Sequence, residues 1–457
     1  MRKNIIVDSD YYKHTHGKMY APNTTGLFSY AESRGGVYDF GILYGLQAWI
    51  MDNLMTPLTK DDVDYAEDIV GGMGGFDRAI WDRVVNKHGG YAPVKIQAVK
   101  EGINVPVRNV LTTVESTDRE LFSLTSFIET ALIRLWYPTT IATKAAVMRR
   151  GIDQLFDTYA DSKASRDFPL LDFGCRGVTC YEQAAIGGGA FLTSFIGSDT
   201  CPGVVYNREF YGAKVSGFSV PATEHSVMCS YGQDNEFESF KHLLENVAKE
   251  NGIISIVSDT WNIFKACEYW NSLAETVKRK NLTLVIRPDS GEFVDVLPRM
   301  ISILSEKFEY SKNDKGLKVF KNIKILWADG ISEENYLDVF KILPSIGWGV
   351  ENLLLGSGGG LLQNVNRDTM KFAFKASAVE QNKTWYPIAK APITDPGKKS
   401  KMGKVCLVRD KNTNNLITVD HSLNTIYGQN MMETVYENGK LLRQQTLEEI
   451  RTLVKAG

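Results

Sequence analysis

The chain is poor in the features that mark several protein classes. Its six cysteines, Cys175, Cys180, Cys201, Cys229, Cys267 and Cys406, are sparse in 457 residues, and none stands in a Cys-x-x-Cys pair. That argues against a zinc site or a disulfide framework. No apolar run approaches the ~18 residues that would span a bilayer, and the amino terminus reaches Asp8 before a signal-peptide core forms. These absences predict a cytoplasmic protein with no membrane partner. Lys and Arg number 52 against 54 Asp and Glu, a formal charge of -2, so no global field draws a polyanion and nucleic acid is not an expected partner. With 14 prolines and no low-complexity tract, the 43% hydrophobic content belongs to packed cores rather than to disorder.

What is present is a recurring strand-to-helix grammar. Apolar runs at 170–176, 194–199, 218–225, 253–259, 282–289, 323–329 and 352–358 end in small, polar or charged residues. Stretches with helical spacing follow, and the ends lie about 25 to 40 residues apart, the length of a βαβ unit. With 371–378 as an eighth strand, the pattern predicts an α/β fold: a (β/α)8-type barrel over 166–384 whose site lies at the carboxyl ends of the strands. An open doubly wound sheet is the alternative; it concentrates its site at one switch point, whereas polar residues here recur at nearly every strand end. Residues 1–165 and 385–457 mix helical spacing, as at 122–136, with strand-like runs at 405–409 and 416–419. They predict a second, α+β domain built from both termini. The glycines at 71–75 read as a loop.

Several residue groups carry candidate chemistry. The glycines of Leu355-Gly-Ser-Gly-Gly-Gly-Leu-Leu-Gln363 stand between an apolar strand and a helix, where backbone N–H groups and a helix amino end suit a phosphate. A tight turn is the plainer reading. Arg176, Arg287, Arg367 and Lys375 are cations that can complete an anion site. Arg287 directly follows an apolar strand and calls for a carboxylate or phosphate partner, Asp289 being the plain one. Arg367 and Lys375 taken singly read as solvated surface charges. The strand-end acids Asp199, Asp259, Asp289 and Asp329 suit Mg²⁺ or sugar hydroxyls, or merely cap helices. His225, beside Glu224, suits a nucleophile or acid–base role, or a structural histidine. Phe173 and Tyr12 can sandwich a flat ring or fill a core. Cys175 reads as a buried apolar residue, and His14 and His16, with no third ligand nearby, read as structural.

Taken in order, Asp172-Phe-Gly-Cys-Arg-Gly177, Gly197-Ser-Asp-Thr200, Val220-Pro-Ala-Thr-Glu-His-Ser226, Val257-Ser-Asp259, Ile286-Arg-Pro-Asp-Ser-Gly291 and Gly356-Ser-Gly-Gly-Gly-Leu-Leu-Gln363 resemble the nicotinamide phosphoribosyltransferases. The likeness extends through Asp10-Tyr-Tyr-Lys13, Tyr30-Ala-Glu-Ser-Arg34, Tyr44-Gly-Leu-Gln47 and Asp395-Pro-Gly-Lys-Lys-Ser-Lys401. The resemblance implies a type II phosphoribosyltransferase in NAD salvage with an atypical (β/α)8-type barrel, active as a homodimer with sites across the interface. It transfers the 5-phosphoribosyl group of phosphoribosyl pyrophosphate (PRPP) to nicotinamide, giving nicotinamide mononucleotide (NMN) and pyrophosphate, with Mg²⁺ and with stimulation by ATP through a phosphohistidine. A nicotinate phosphoribosyltransferase and a non-catalytic nucleotide or nicotinamide sensor are the competing readings.

The resemblance also implies roles. Phe173 matches the aromatic stacked on one face of the pyridine ring, Tyr12 the tyrosine covering the other face from the partner subunit, and Asp199 the acceptor for the amide, with Arg287 beside them. Arg176, His225 and Arg287 match pyrophosphate contacts, His225 also the phosphorylated histidine, with Glu224 alongside. Asp259 and Asp289 match residues near the ribose and the Mg²⁺, which is held mainly through pyrophosphate. Asp289, Ala328, Asp329, Gly358, Gly359 and Arg367 match nucleotide- and phosphate-binding positions. Arg34, Arg367, Lys375, Lys390 and Lys398 resemble a basic set from the partner subunit. Three positions depart from the family pattern: Ala328 replaces a glycine and is expected to narrow the phosphate pocket, Phe218 replaces a tyrosine near the tunnel, and the extra glycines of Gly187–Gly189 are expected to weaken a helix, by roughly 1 kcal/mol each.

Overall fold

The computed structural model describes residues 4–394 and 399–457. The chain divides into two units, one formed by Met1–Thr143, Asn207–Ala213 and Val365–Gly457 and the other by Lys144–Tyr206 and Lys214–Asn364. Both main cuts lie upstream of the expected boundaries at 165 and 384. The residues around the first expected boundary follow the helix Trp136–Tyr159, and those before the second form a strand of the terminal sheet.

The first unit is built on a seven-stranded antiparallel sheet. Its order is Thr384–Pro387, Phe372–Gln381, Thr24–Ser33, Val110–Ser116, Val94–Ala98, Glu433–Glu437 and Lys440–Leu441. The strand Phe372–Gln381 covers the segment expected as the eighth barrel strand. It pairs antiparallel with Thr24–Ser33, so Tyr30 faces Lys375, and the barrel reading of 371–378 is corrected. Its alternating pattern shows a strand but not which sheet receives it. The expected strands near the carboxyl terminus are Val405–Asp410 and Leu416–Asp420, paired antiparallel in a small sheet with Gly428–Asn430. The stretch with helical spacing at 122–136 forms the short helices Leu124–Phe127 and Glu129–Ile133 before the long helix begins at Trp136.

The second unit holds the parallel strands. Leu170–Asp172, Leu353–Ser357, Ile323–Trp327, Thr283–Arg287 and Ile253–Val257 lie side by side in that order. The ring continues through single parallel bridges, Asp172 to Ser198, Gly197 to Phe218 and Ala222 to Ser255. Of the seven expected barrel strands, five are regular and two, at 194–199 and 218–225, are reduced to bridges. Pro221 has no N–H to donate and serves only as acceptor for the Ser255 N–H at 2.9 Å, which limits pairing there. The extra glycines of 187–189 lie within the helix Tyr181–Phe191 and have a packing reason. A Cβ on Gly203 would come within 2.5 Å of the Gly188 backbone, so glycine lets two helices meet at backbone distance. Among the described residues, no helix is long and apolar enough to cross a membrane.

Candidate functional site

Within the parallel unit, a cavity of about 620 Å³ follows the inside of the strands. Thr283, Val285 and Arg287 line it from one strand and Ile253 and Ser255 from the next, the alternation expected of inward-facing residues. Barrel interiors of this class are usually filled with branched apolar side chains. Here the small polar Ser255 and Thr283 stand at lining positions, with Lys324, whose ammonium donates to the Glu351 carbonyl.

At the carboxyl ends of the strands, Phe173, Asp199 and Arg287 line this same cavity. Phe173 follows strand Leu170–Asp172, and its N–H donates to the Ser357 carbonyl at 2.9 Å. Its ring lies against the neighbouring strand at Gly356, where an added Cβ would fall 2.3 Å from the Phe173 ring, so the glycine makes room for the aromatic. The Arg287 guanidinium carbon is 5.7 Å from the centre of the Phe173 ring. Asp199 accepts a short hydrogen bond from the Ser219 hydroxyl.

Arg287 and Asp289 form the expected pair, Nη2 to Oδ2 at 3.1 Å. The pair does not exhaust the cation: Arg287 Nε is buried and has no partner among the described residues. An unsatisfied guanidinium N–H is costly to bury and is the kind of donor an anionic or carbonyl ligand satisfies.

A second cluster stands one strand away, where Val257 and Arg287 are register partners. His225 Nε2 lies 3.1 Å from Asp259 Oδ1, and Ser290 Oγ donates to Asp259 Oδ2 at 2.5 Å. Asp259 is 5% exposed and His225 47%, so a buried carboxylate holds an accessible imidazole. Glu224 precedes His225 at the start of the one-turn helix His225–Cys229 and accepts from the Ser226 hydroxyl. Both Asp259 oxygens are thus engaged, which suits orienting His225 better than ligating a metal. Among the described residues, no group of three or more His, Cys, Asp or Glu side chains converges as a metal cage. Asp289, which meets Arg287 through Oδ2, is the carboxylate of this region that could hold a divalent ion.

The remaining predicted residues of this unit are placed as follows. Arg176 is exposed on the turn Cys175–Gly177. Cys175 is also exposed, which corrects its reading as a buried apolar residue, because the chain turns outward at the strand end. Gly358 precedes and Gly359 opens the helix Gly359–Leu362, a single turn, so local N–H groups rather than a long helix dipole are what it offers an anion. Asp329 is exposed, and its carbonyl accepts from Trp327 Nε1 at 2.9 Å. Beside it, the Ala328 methyl lies near Gly356.

In the other unit, Tyr12 lies on the 3-10 helix Tyr11–Lys18, is 54% exposed, and meets His16 edge-on at 4.9 Å. His14 is buried against Phe76 and Phe127, in keeping with a structural role. Arg34 is paired with Glu32 at 3.1 Å, yet its Nη2 is buried with no hydrogen-bond partner among the described residues. Burial lowers the pKa of Lys375, and the charges of Arg34, Lys390 and Arg367 lower it further, against a raising effect of Glu129. Lys375 is therefore not a solvated surface charge but one of several cations gathered near each other, an arrangement that an anion would stabilise. Lys398 lies outside the described residues.

Sequence reasoning missed the hydroxyls of Ser198, Ser219 and Ser290 as partners of the acids. It also missed the hollow interior, for which the inward polar residues Ser255, Thr283 and Lys324 were an available signal.

Comparison with known proteins adds to this geometry. Residues 168–440 match the nicotinate phosphoribosyltransferase (NAPRTase) family, and residues 4–96 match the nicotinamide phosphoribosyltransferase N-terminal domain. The chain is 38% identical to a nicotinamide phosphoribosyltransferase of Xanthomonas campestris, over 98% of this chain and 97% of that protein. It is 31% identical to a nicotinamide phosphoribosyltransferase of Acinetobacter baylyi, again over 98% and 97%. In fold it is similar to a nicotinate-nucleotide pyrophosphorylase from Pyrococcus furiosus, with a TM-score of 0.63 at 16% identity over 99% of this chain and 95% of that one. Human nicotinic acid phosphoribosyltransferase is a further fold relative, at TM-score 0.54 and 15% identity over 98% and 93%.

Proposed function

This chain belongs to the nicotinate phosphoribosyltransferase family, and on that premise we propose that it transfers the 5-phosphoribosyl group of PRPP to nicotinamide. The products are NMN and pyrophosphate, and the role is NAD salvage. The observation that carries the choice of base is Asp199 on the wall that also presents Phe173 and Arg287. A carboxylate accepts from the N–H of a carboxamide and repels the carboxylate of nicotinate.

In this reading Phe173 stacks on the pyridine ring, and Tyr12 of a second copy covers the opposite face across a homodimer interface. Arg287 Nε meets the amide carbonyl or a phosphate oxygen. The ring nitrogen attacks the anomeric carbon with its own lone pair as the bond to pyrophosphate breaks, so the product ring is cationic and no proton has to be removed. The work of the protein is positioning and electrostatic stabilisation of an oxocarbenium-like state. Asp289 lies near the ribose, with Asp329, Gly358, Gly359 and the Ala328 backbone around the 5-phosphate. Arg176, Arg287 and His225 receive pyrophosphate, and Arg34, Arg367, Lys375, Lys390 and Lys398 of the second copy add positive charge. Mg²⁺ bound mainly by pyrophosphate, with Asp289, would neutralise charge on the leaving group.

His225 accepts the γ-phosphoryl group of ATP, its ring nitrogen attacking the γ-phosphorus as the bond to the β-phosphate oxygen breaks and ADP leaves. Asp259 engages Nε2, which leaves Nδ1 as the phosphorylated nitrogen, and the carboxylate stabilises the imidazolium character of the ring. The test is stoichiometric: nicotinamide and PRPP with Mg²⁺ yield NMN and pyrophosphate in equal amounts, and ATP raises the yield. Folded protein that forms no nucleotide from either nicotinamide or nicotinate would contradict the reading and favour a non-catalytic binding protein.

A further inference from the structure

One buried carboxyl group beside Phe173 and Asp199 belongs to none of the roles above. Asp172 ends strand Leu170–Asp172, immediately before Phe173, and its side chain is fully buried, at 0% exposure. One oxygen, Oδ1, accepts from the Gly174 N–H at 2.8 Å. The other, Oδ2, accepts from the Ser198 hydroxyl at 3.2 Å, and Ser198 Oγ in turn accepts from the Thr200 N–H at 3.0 Å. The first bond fixes the turn that carries Phe173; the second fixes the turn that carries Asp199. The backbone reinforces the link, since the Asp199 N–H donates to the Asp172 carbonyl at 2.9 Å.

We propose that Asp172 is a positioning residue for the base, setting the ring-stacking Phe173 and the amide-reading Asp199 at a fixed spacing through its two carboxylate oxygens. The inference rests on the reading of Phe173 and Asp199 given above.

Charge supports it. Burial raises the Asp172 pKa to about 6, hydrogen bonds from Gly174 and Ser198 and the nearby Thr200 hydroxyl pull it down, and the Asp199 charge pushes it up. Among the described residues, the titratable groups facing it are Asp199 and Cys175, with Cys201 near Cys175 and Arg176 on the adjoining turn. The neighbouring strand Leu353–Ser357 and turn Gly359–Leu362 bring none. A folded-state pKa above the ordinary 3.8 means that the folded protein binds the proton more tightly than the unfolded chain. Stability therefore falls as pH rises from about 4 to about 6, and at neutral pH the ionised carboxylate opposes folding. An asparagine of the same shape would relieve that cost while giving up the acceptor for the Ser198 hydroxyl, so the two effects on stability offset each other.

The experiment is Asp172→Asn. The amide oxygen keeps the Gly174 bond, while the NH2 group replaces an acceptor for the Ser198 hydroxyl by a donor. The variant should melt at pH 7.5 no lower than wild type, while KM for nicotinamide rises at least tenfold, KM for PRPP stays within twofold, and kcat falls less than KM rises. At saturating PRPP, the wild-type KM for nicotinamide should rise as pH falls through about 6, and this limb should be missing in the variant. Unchanged nicotinamide KM, or the same acid limb in both proteins, overturns the proposal. Calorimetric titration with nicotinamide reads the same affinity without turnover. Wild type that binds nicotinamide with the predicted acid limb but forms no NMN would refute the reaction while sustaining the role of Asp172; wild type without the limb refutes Asp172 even if NMN is made. If Asp172→Asn does not fold, calorimetric titration of wild type across pH 5 to 7.5 decides alone: nicotinamide affinity that falls as pH drops through about 6 sustains the role of Asp172, and affinity without that limb overturns it.

Discussion

Asp199→Asn is the substitution with the clearest expected magnitude. The Ser219 hydroxyl already donates to Asp199 Oδ1, and in the proposed reading Oδ2 accepts from the nicotinamide amide. In the asparagine variant the single side-chain oxygen stays with Ser219, and the new NH2 group faces the N–H of the substrate, donor against donor. The lost hydrogen bond to a charged acceptor is worth about 1.5 to 3 kcal/mol, which at ~1.4 kcal/mol per decade predicts a ~10- to 150-fold rise in nicotinamide KM. The same NH2 group can donate to a carboxylate, so kcat/KM for nicotinate should rise. Initial rates of NMN and nicotinate mononucleotide formation at saturating PRPP and ATP measure both. A nicotinamide KM within twofold of wild type, with no gain for nicotinate, would refute the assignment of Asp199 as the amide reader.

Other perturbations bear on separate parts of the site. His225→Ala should abolish stimulation by ATP and acid-labile phosphate on the protein while leaving slow ATP-independent NMN synthesis; stimulation that persists would remove His225 from that role. Gly356→Ala places a methyl against the Phe173 ring and should lower stability by about 1 to 3 kcal/mol through overpacking, with a raised nicotinamide KM. An unchanged melting temperature and KM would show that the ring does not rest there. Mixing Tyr12→Ala with Phe173→Ala protein tests sharing between subunits: random exchange should restore roughly a quarter of wild-type sites if each site takes one residue from each copy, whereas sites built within one chain would show no recovery.

Much of the barrel was legible because an apolar run ending in a polar residue is what a parallel strand requires at its carboxyl end. The runs ending near Asp172, Asp259, Asp289, Asp329 and Gly358 all became strands, and three of their terminal residues, Phe173, Arg287 and Asp259, stand in the clusters described above. The bridges at Ser198 and Ala222 looked the same in sequence because the run length is similar, but Pro221 withholds a donor. Phe372–Gln381 was misplaced because its partner, Thr24–Ser33, lies some 350 residues earlier, and alternation carries no address. Asp172 and Asp199 are both strand-end acids in the sequence; only burial separates the proposed anchor from the proposed amide reader. The gathering of Arg34, Lys375, Lys390 and Arg367 was legible only through the resemblance, since the four come from segments far apart in the chain.

The central claim is that a carboxylate at the barrel mouth selects the amide. Its most direct test is a competition: wild-type protein with limiting PRPP, Mg²⁺ and ATP, equal concentrations of nicotinamide and nicotinate, and chromatographic separation of the two mononucleotides. The account predicts NMN as the dominant product, formed with one pyrophosphate each. Predominance of nicotinate mononucleotide would contradict it.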